Sequence, residues 1–189
     1  LVFVFIAFQG ASFGDNVVAA NAVLLTFLMM VSYALDGFAY AAEACTGKAV
    51  GAKNTTELHE LIKILTAWGA VLGVLFALLY WLAGSSIISL ITSIDDVQRV
   101  ANTYLPWLIV LPLIAVWSYL LDGIYIGATK ARTMRNSMLL SVSGFAATYV
   151  LLQQLGNHAL WFALCVFMLL RGITLAIPLY RKGIRFLYT

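Results

Sequence analysis

The chain has 189 residues, of which 63% are hydrophobic and only 10% charged, with a formal net charge of +3. A soluble domain carries roughly a quarter charged residues, because its surface faces water, so the composition and a mean hydropathy of +0.97 exclude a soluble fold. The apolar stretches are continuous, whereas a transmembrane barrel would show alternation over segments of about ten residues. The expected class is therefore an all-α membrane protein.

Six apolar segments follow in chain order, at 1–13, 17–44, 61–83, 104–126, 137–155 and 159–180. The first is short. It starts at Leu1 inside an apolar run, with neither the basic start nor the cleavage site of a signal peptide, and reads as a truncated helix of a longer protein. Each of the others can supply the roughly 20 residues that span a bilayer core. Turn residues punctuate the chain at Gly14-Asp15-Asn16, 47–54, Gly84-Ser85-Ser86, 127–136 and Gly156-Asn157-His158. Asn54 with Glu57, and Ser93 with Asp96, have the spacing of helix N-caps with an acid three residues on. The stretch 85–102 is long for a tight loop, so a short interfacial helix is expected within it.

Basic residues set the orientation. Lys48, Lys53 and Lys63 follow the second segment, Lys130, Arg132 and Arg135 the fourth, and Arg181, Lys182 and Arg185 the sixth. The alternate loops hold a single base, Arg99, with Asp15, Asp95 and Asp96. Segments two, four and six should run inward, leaving the C-terminus in the cytoplasm. This rule accounts for the net positive charge, and no nucleic-acid partner is needed to explain it.

Cys45 and Cys165 lie far apart within or beside apolar segments and read as packing residues, not as a disulfide or metal ligands. His59 and His158 have no metal-ligand neighbours at helical spacing, so no metal site is expected. Trp81, Trp107 and Trp161 suit an interfacial belt. The pairs Gly69/Gly73 and Gly123/Gly127 permit close approach of helices.

Ionisable groups inside a spanning helix cost a few kcal/mol on insertion scales and are functional candidates by default. Asp36, Asp122 and Arg171 meet that description. Asp36 precedes Lys48 by 12 residues, or ~18 Å along a helix, and Arg171 precedes Arg181 by ten, or ~15 Å. Ser32, Tyr33, Asp36, Tyr40 and Glu43 share one helical face, and Ser118, Tyr119, Asp122, Tyr125 and Thr129 share another. Such faces avoid lipid and should line a bundle interior or a water-filled cavity. A carboxylate there can exchange a proton, hold a sodium ion or pair with a cationic substrate; equally, it can be a structural acid held by tyrosines or by Arg171. Arginine cannot cycle its proton, so Arg171 is expected to be a structural ion-pair partner of one aspartate. Glu43, nearer the cytoplasmic end, reads as interfacial.

Several stretches resemble MATE-type (multidrug and toxic compound extrusion) transporters, and within them the DinF-like branch. Residues 33–43 (YALDGFAYAAE) and 47–52 (GKAVGA) are similar to the eighth helix and its following loop. Residues 119–130 (YLLDGIYIGATK) and 134–138 (MRNSM) resemble the tenth helix and the next loop, and 156–161 (GNHALW) and 169–172 (LLRG) resemble the twelfth. The resemblance implies a six-helix bundle forming one lobe, helices seven to twelve, of a twelve-helix antiporter. A missing N-terminal lobe of the same polypeptide would then complete it. It also implies a bacterial inner-membrane exporter of amphiphilic, often cationic compounds, surrounded by lipid and driven by protons or sodium without an organic cofactor. Asp122 matches an acid of the cation site in sodium-coupled members. Those members also use an acid on the seventh helix, where this chain offers Gln9 as its one strongly polar side chain. The departure favours protons. The expected cavity residues are Asp122, Asp36, Tyr119, Tyr125, Tyr33, Tyr40 and Ser118.

The alternative is a self-contained six-helix protein that homodimerises into a transporter or pore. An intramembrane enzyme is disfavoured by the lack of Gly-x-Ser-x-Gly and His-Glu-x-x-His motifs. A lone lobe would leave the polar faces of Asp36 and Asp122 uncovered. The 189-residue chain purified alone should therefore be polydisperse in detergent and unfold at low temperature; a monodisperse, heat-resistant monomer would contradict the lobe reading.

Overall fold

A computed structural model describes residues 2–10 and 13–188. Its helices are α1 (Val2–Gly10), α2 (Asp15–Gly51), α3 (Thr55–Ile91), α4 (Asp95–Gly127), α5 (Ala131–Leu152) and α6 (Asn157–Lys182), with 3-10 turns at Gln153–Leu155 and Ile184–Tyr188. No strand occurs among the described residues. Five of the helices, α2 to α6, are long and apolar enough to cross a membrane. Positions 1, 11 and 12 of the first expected segment lie outside the described residues.

Four of the spanning helices contain their expected apolar windows and run past them, whereas α5 starts before its window of 137–155 and ends at Leu152, the last three residues forming a 3-10 turn. Hydropathy marks the lipid-facing length of a helix, whereas its polar end turns carry the same backbone hydrogen bonds. The connections consequently shrink to a few residues: 52–54, 92–94 and 128–130. Gly84-Ser85-Ser86 does not break the chain, and no interfacial helix separates α3 from α4. Gly84 lies within α3 and packs against Leu105, and Ser85 Oγ donates to Asn102 Oδ1 at 2.6 Å across the hairpin. The N-cap expected at Ser93 falls instead at Ile94, which makes no side-chain cap. The cap at Asn54 forms as a reciprocal pair. Its Oδ1 accepts from the Glu57 backbone N–H at 3.1 Å, and its Nδ2 donates to Glu57 Oε2 at 3.0 Å.

The bundle is organised around α4, which packs against α2, α3 and α6, while α5 packs mainly on α6. Glycine makes the two closest of these approaches. A Cβ on Gly123 would meet the Ala39 carbonyl oxygen, and one on Gly127 the Glu43 carbonyl oxygen and the Gly47 nitrogen at 3.0 Å. Gly69 and Gly73 of α3 lie against Val116, with Pro112 O 3.3 Å from a Cβ on Gly73. Both Gly-x-x-x-Gly pairs are therefore helix contacts on α4, which without side chains between the axes gain backbone dispersion that lipid cannot replace.

The larger core gathers Leu24, Phe27, Tyr80, Ile88, Leu108, Trp161 and Leu164. Within it Asn21 and Asn157 exchange amide hydrogen bonds of 2.7 and 2.9 Å, and Trp161 Nε1 donates to Asn21 Oδ1 at 3.1 Å. Trp161 is thus fully buried, not part of an interfacial belt; its indole N–H has a partner that an apolar core otherwise lacks. Trp81 remains exposed, and Trp107 donates to His158 Nδ1 at 3.1 Å. A smaller core at the opposite end joins Ala42, Ala49, Leu58, Leu120 and Ile124. The segment after α6 folds back onto it, burying Leu187 and setting Phe186 beneath the ammonium groups of Lys130 (5.3 Å) and Lys182 (4.9 Å).

Gly123→Ala should destabilise the protein by about 1–3 kcal/mol, the usual cost of forcing atoms into a packed contact. Gly37→Ala, where nothing lies within 4 Å, should leave the melting temperature in detergent unchanged or raised. Equal effects of the two substitutions would refute the backbone contact.

Candidate cation and substrate cavity

The close seat of α4 on α2 brings together the two polar faces read in the sequence. Tyr119 of α4 donates to Ser32 Oγ of α2 at 3.0 Å, and Asp36, Asp122 and Arg171 all lie within electrostatic range of the Tyr119 phenol. Arg171 reaches in from α6. Its Nε donates to Asp122 Oδ2 and its Nη2 to Asp122 Oδ1, each at 2.8 Å. The guanidinium thereby takes both carboxylate oxygens in a planar fork, the strongest arrangement open to this pair.

The pair forms one wall of a cavity of about 390 Å³, lined also by Ser118, Tyr119, Met138, Val142, Phe167 and Met168. The Arg171 side chain is 9% exposed and that of Asp122 23%, and both line the cavity. Ser118 is buried beneath it, with its hydroxyl donating to the Ala115 carbonyl at 2.8 Å. Arg171 is fixed from behind through its helix: Ser137 of α5 bonds Thr174 at 2.6 Å and approaches the Arg171 carbonyl.

The α2 face has a different setting. Asp36, Tyr33 and Tyr40 are exposed on the open side of the bundle, and no salt bridge to Asp36 occurs among the described residues. Glu43 is half-buried, and its carbonyl is the one that receives Gly127. Tyr125, expected in the cavity, is turned into the bundle: it is fully buried and donates to the Leu175 carbonyl at 2.7 Å. It ties α4 to α6 and takes no part in the cavity wall. The apolar half of the lining, above all Met138 and Met168, carried no distinguishing sequence signal, because thioethers in a membrane helix look like ordinary packing. The Asn21–Asn157 pair did carry one, an amide within or bordering each apolar run.

Five long apolar helices in one bundle, with an ion pair facing a cavity, define the class as a multi-pass integral membrane protein. A family model described as MatE matches residues 1–152. The chain belongs to the MatE family. It is 48% identical over 176 residues to DNA damage-inducible protein F of Escherichia coli (strain K12), a match covering 93% of this chain and 38% of that protein. The chain thus spans well under half the length of that relative. No solved structure matches it.

Removing one partner of a buried ion pair strands the other, at a typical cost of about 3–5 kcal/mol. Arg171→Met alone should therefore lower thermal stability in detergent markedly. Combining it with Asp122→Leu should recover most of the loss. A double variant no more stable than the single one would show that the pair is not what holds α4 to α6 here.

Proposed function

We propose that the chain is the C-terminal six-helix lobe of an efflux antiporter that exports amphiphilic, often cationic compounds from a bacterial cell in exchange for protons. In this reading it sits in the inner membrane with α2, α4 and α6 running inward and its C-terminus in the cytoplasm. An N-terminal lobe of the same polypeptide covers the open side of α2. The observation that carries the reading is that, in a MatE-family chain, an ion-paired carboxylate (Asp122) lines a cavity and an exposed one (Asp36) lies within electrostatic range of it. Two acids close enough to repel each other bind a shared cation or proton more readily than either alone.

The exchange follows from charge. With the carboxylates ionised, the cavity attracts a cationic amphiphile, whose apolar part meets Phe167, Val142, Met138 and Met168. Protonation from the outer side cancels that attraction and lets the substrate leave. Rocking of the two lobes about the fixed site then carries the proton inward, where its release restores the charge. The cycle needs two states of different affinity, and proton binding supplies the difference.

The test is efflux of a fluorescent lipophilic cation from liposomes holding the full-length gene product, driven by an imposed pH gradient. Asp122→Asn should lower the pH-driven rate at least tenfold when equal amounts of folded protein, judged by monodispersity before reconstitution, are compared. Undiminished efflux by that variant would remove Asp122 from the coupling mechanism.

A further inference from the structure

The Asp122 carboxylate already holds a cation, and that cation belongs to the chain. We infer that Arg171 is a tethered counter-ion and a specificity-determining residue: it fills the place at Asp122 that a sodium ion would take, and so makes the site refuse sodium. The inference rests on the reading of this cavity as the coupling site and adds to it which ion is excluded and by what.

Three observations support it. First, the fork geometry leaves neither Asp122 oxygen without a guanidinium N–H, both bonds being 2.8 Å. A hard cation needs several oxygen ligands at once, and the two that Asp122 offers are already neutralised by a guanidinium whose positive charge would repel it. Second, the cavity offers few others. Ser118 and Tyr119 are the remaining oxygen-bearing side chains in the lining, and two hydroxyls are too few to complete a coordination shell. No cluster of three or more metal-binding side chains occurs among the described residues. Third, Arg171 is not free to leave. It is almost fully buried on α6, and it cannot lose its charge at any physiological pH.

The same local sequence on α2 provides an internal comparison. Residues 33–37 read YALDG and 119–123 read YLLDG, yet only the second aspartate receives an arginine. The charged and titratable groups around the cavity are then Asp36, Asp122, Arg171 and Tyr119, with one net negative charge among them. That charge resides at exposed Asp36, the carboxylate left to meet a cationic amphiphile. A proton can still reach Asp122, because it needs no coordination shell and can bond a carboxylate lone pair that the guanidinium leaves open.

Sodium binding to the full-length protein tests this independently of transport. The melting temperature would be followed as NaCl replaces choline chloride at constant ionic strength, because a ligand of the folded state raises it by mass action. Wild type should be flat. Arg171→Gln, which frees the carboxylate, should gain a rise of several degrees by 150 mM sodium, and Arg171→Gln with Asp122→Asn should lose it. Arg171→Lys, which keeps a resident cation, should again be flat. A sodium-dependent rise in wild type or in Arg171→Lys would overturn the inference, and those arms serve even if Arg171→Gln does not fold. So would a folded Arg171→Gln without any rise, or a double variant that retains one. Should Asp122→Asn keep its pH-driven efflux while this sodium pattern holds, the coupling mechanism fails and the counter-ion role stands.

Discussion

Gly123 sits where no side chain fits. Its α-carbon faces the Ala39 carbonyl, and one turn further on Gly127 faces the Glu43 carbonyl. In lipid there is no hydrophobic force between helices, so α2 and α4 are held by how closely their surfaces match. The absence of a Cβ at two successive turns provides that match. The rest of the bundle follows from it. With α4 seated on α2, the Tyr119 phenol reaches Ser32, and Asp122, next in sequence to the contact glycine, is turned towards α6. The glycine that closes the helix pair also aims the acid beside it.

Cost explains why the acid needs Arg171. A carboxylate so largely removed from water is expensive to keep ionised and alone. The pair offsets the expense locally but makes α6 dependent on α4. Tyr125 reinforces the same seam through the Leu175 carbonyl, and Ser137 and Thr174 add α5 to it. A polar ladder thus runs along the inner side of α4 and α6, while the exposed side of α2 carries Tyr33, Asp36 and Tyr40 without such support. The two polar faces differ for this reason: that of α4 is tied to α6 by bonds within the chain, and that of α2 is exposed.

The class, the number of helices and the identity of the charged residues were legible from the sequence because each reflects insertion energy, which is nearly additive along a segment. Both glycine pairs were legible for a similar reason, since spacing alone places them on one face. Helix ends were not. The runs past 44 in α2 and past 83 in α3 are polar or mixed, and hydropathy cannot tell a continuing helix from a loop. Gly84 shows the limit: it reads as a breaker in isolation but serves as a packing surface for Leu105. Trp161 was misplaced because a tryptophan near a helix start normally marks the interface, whereas here the buried amide of Asn21, 140 residues away, supplies its acceptor. Long-range partners of that kind leave no local trace.

The repeated Tyr-x-Leu-Asp-Gly shows how far the reading of a motif can go. Both copies place an aromatic hydroxyl one turn before an acid and a glycine just after it, so local sequence predicts the same environment twice. The outcome differs because the glycines differ in use. Gly123 is covered by α2, which pins its aspartate against α6; Gly37 has nothing within 4 Å, and its aspartate stays on the open face. Two carboxylates of the same local design therefore become different instruments, one neutralised inside the lobe and one presented outward. Of the two acids, only Asp36 keeps a negative charge that no cation of the described residues neutralises. That difference follows from the arrangement of α2, α4 and α6, not from the local sequence of either motif.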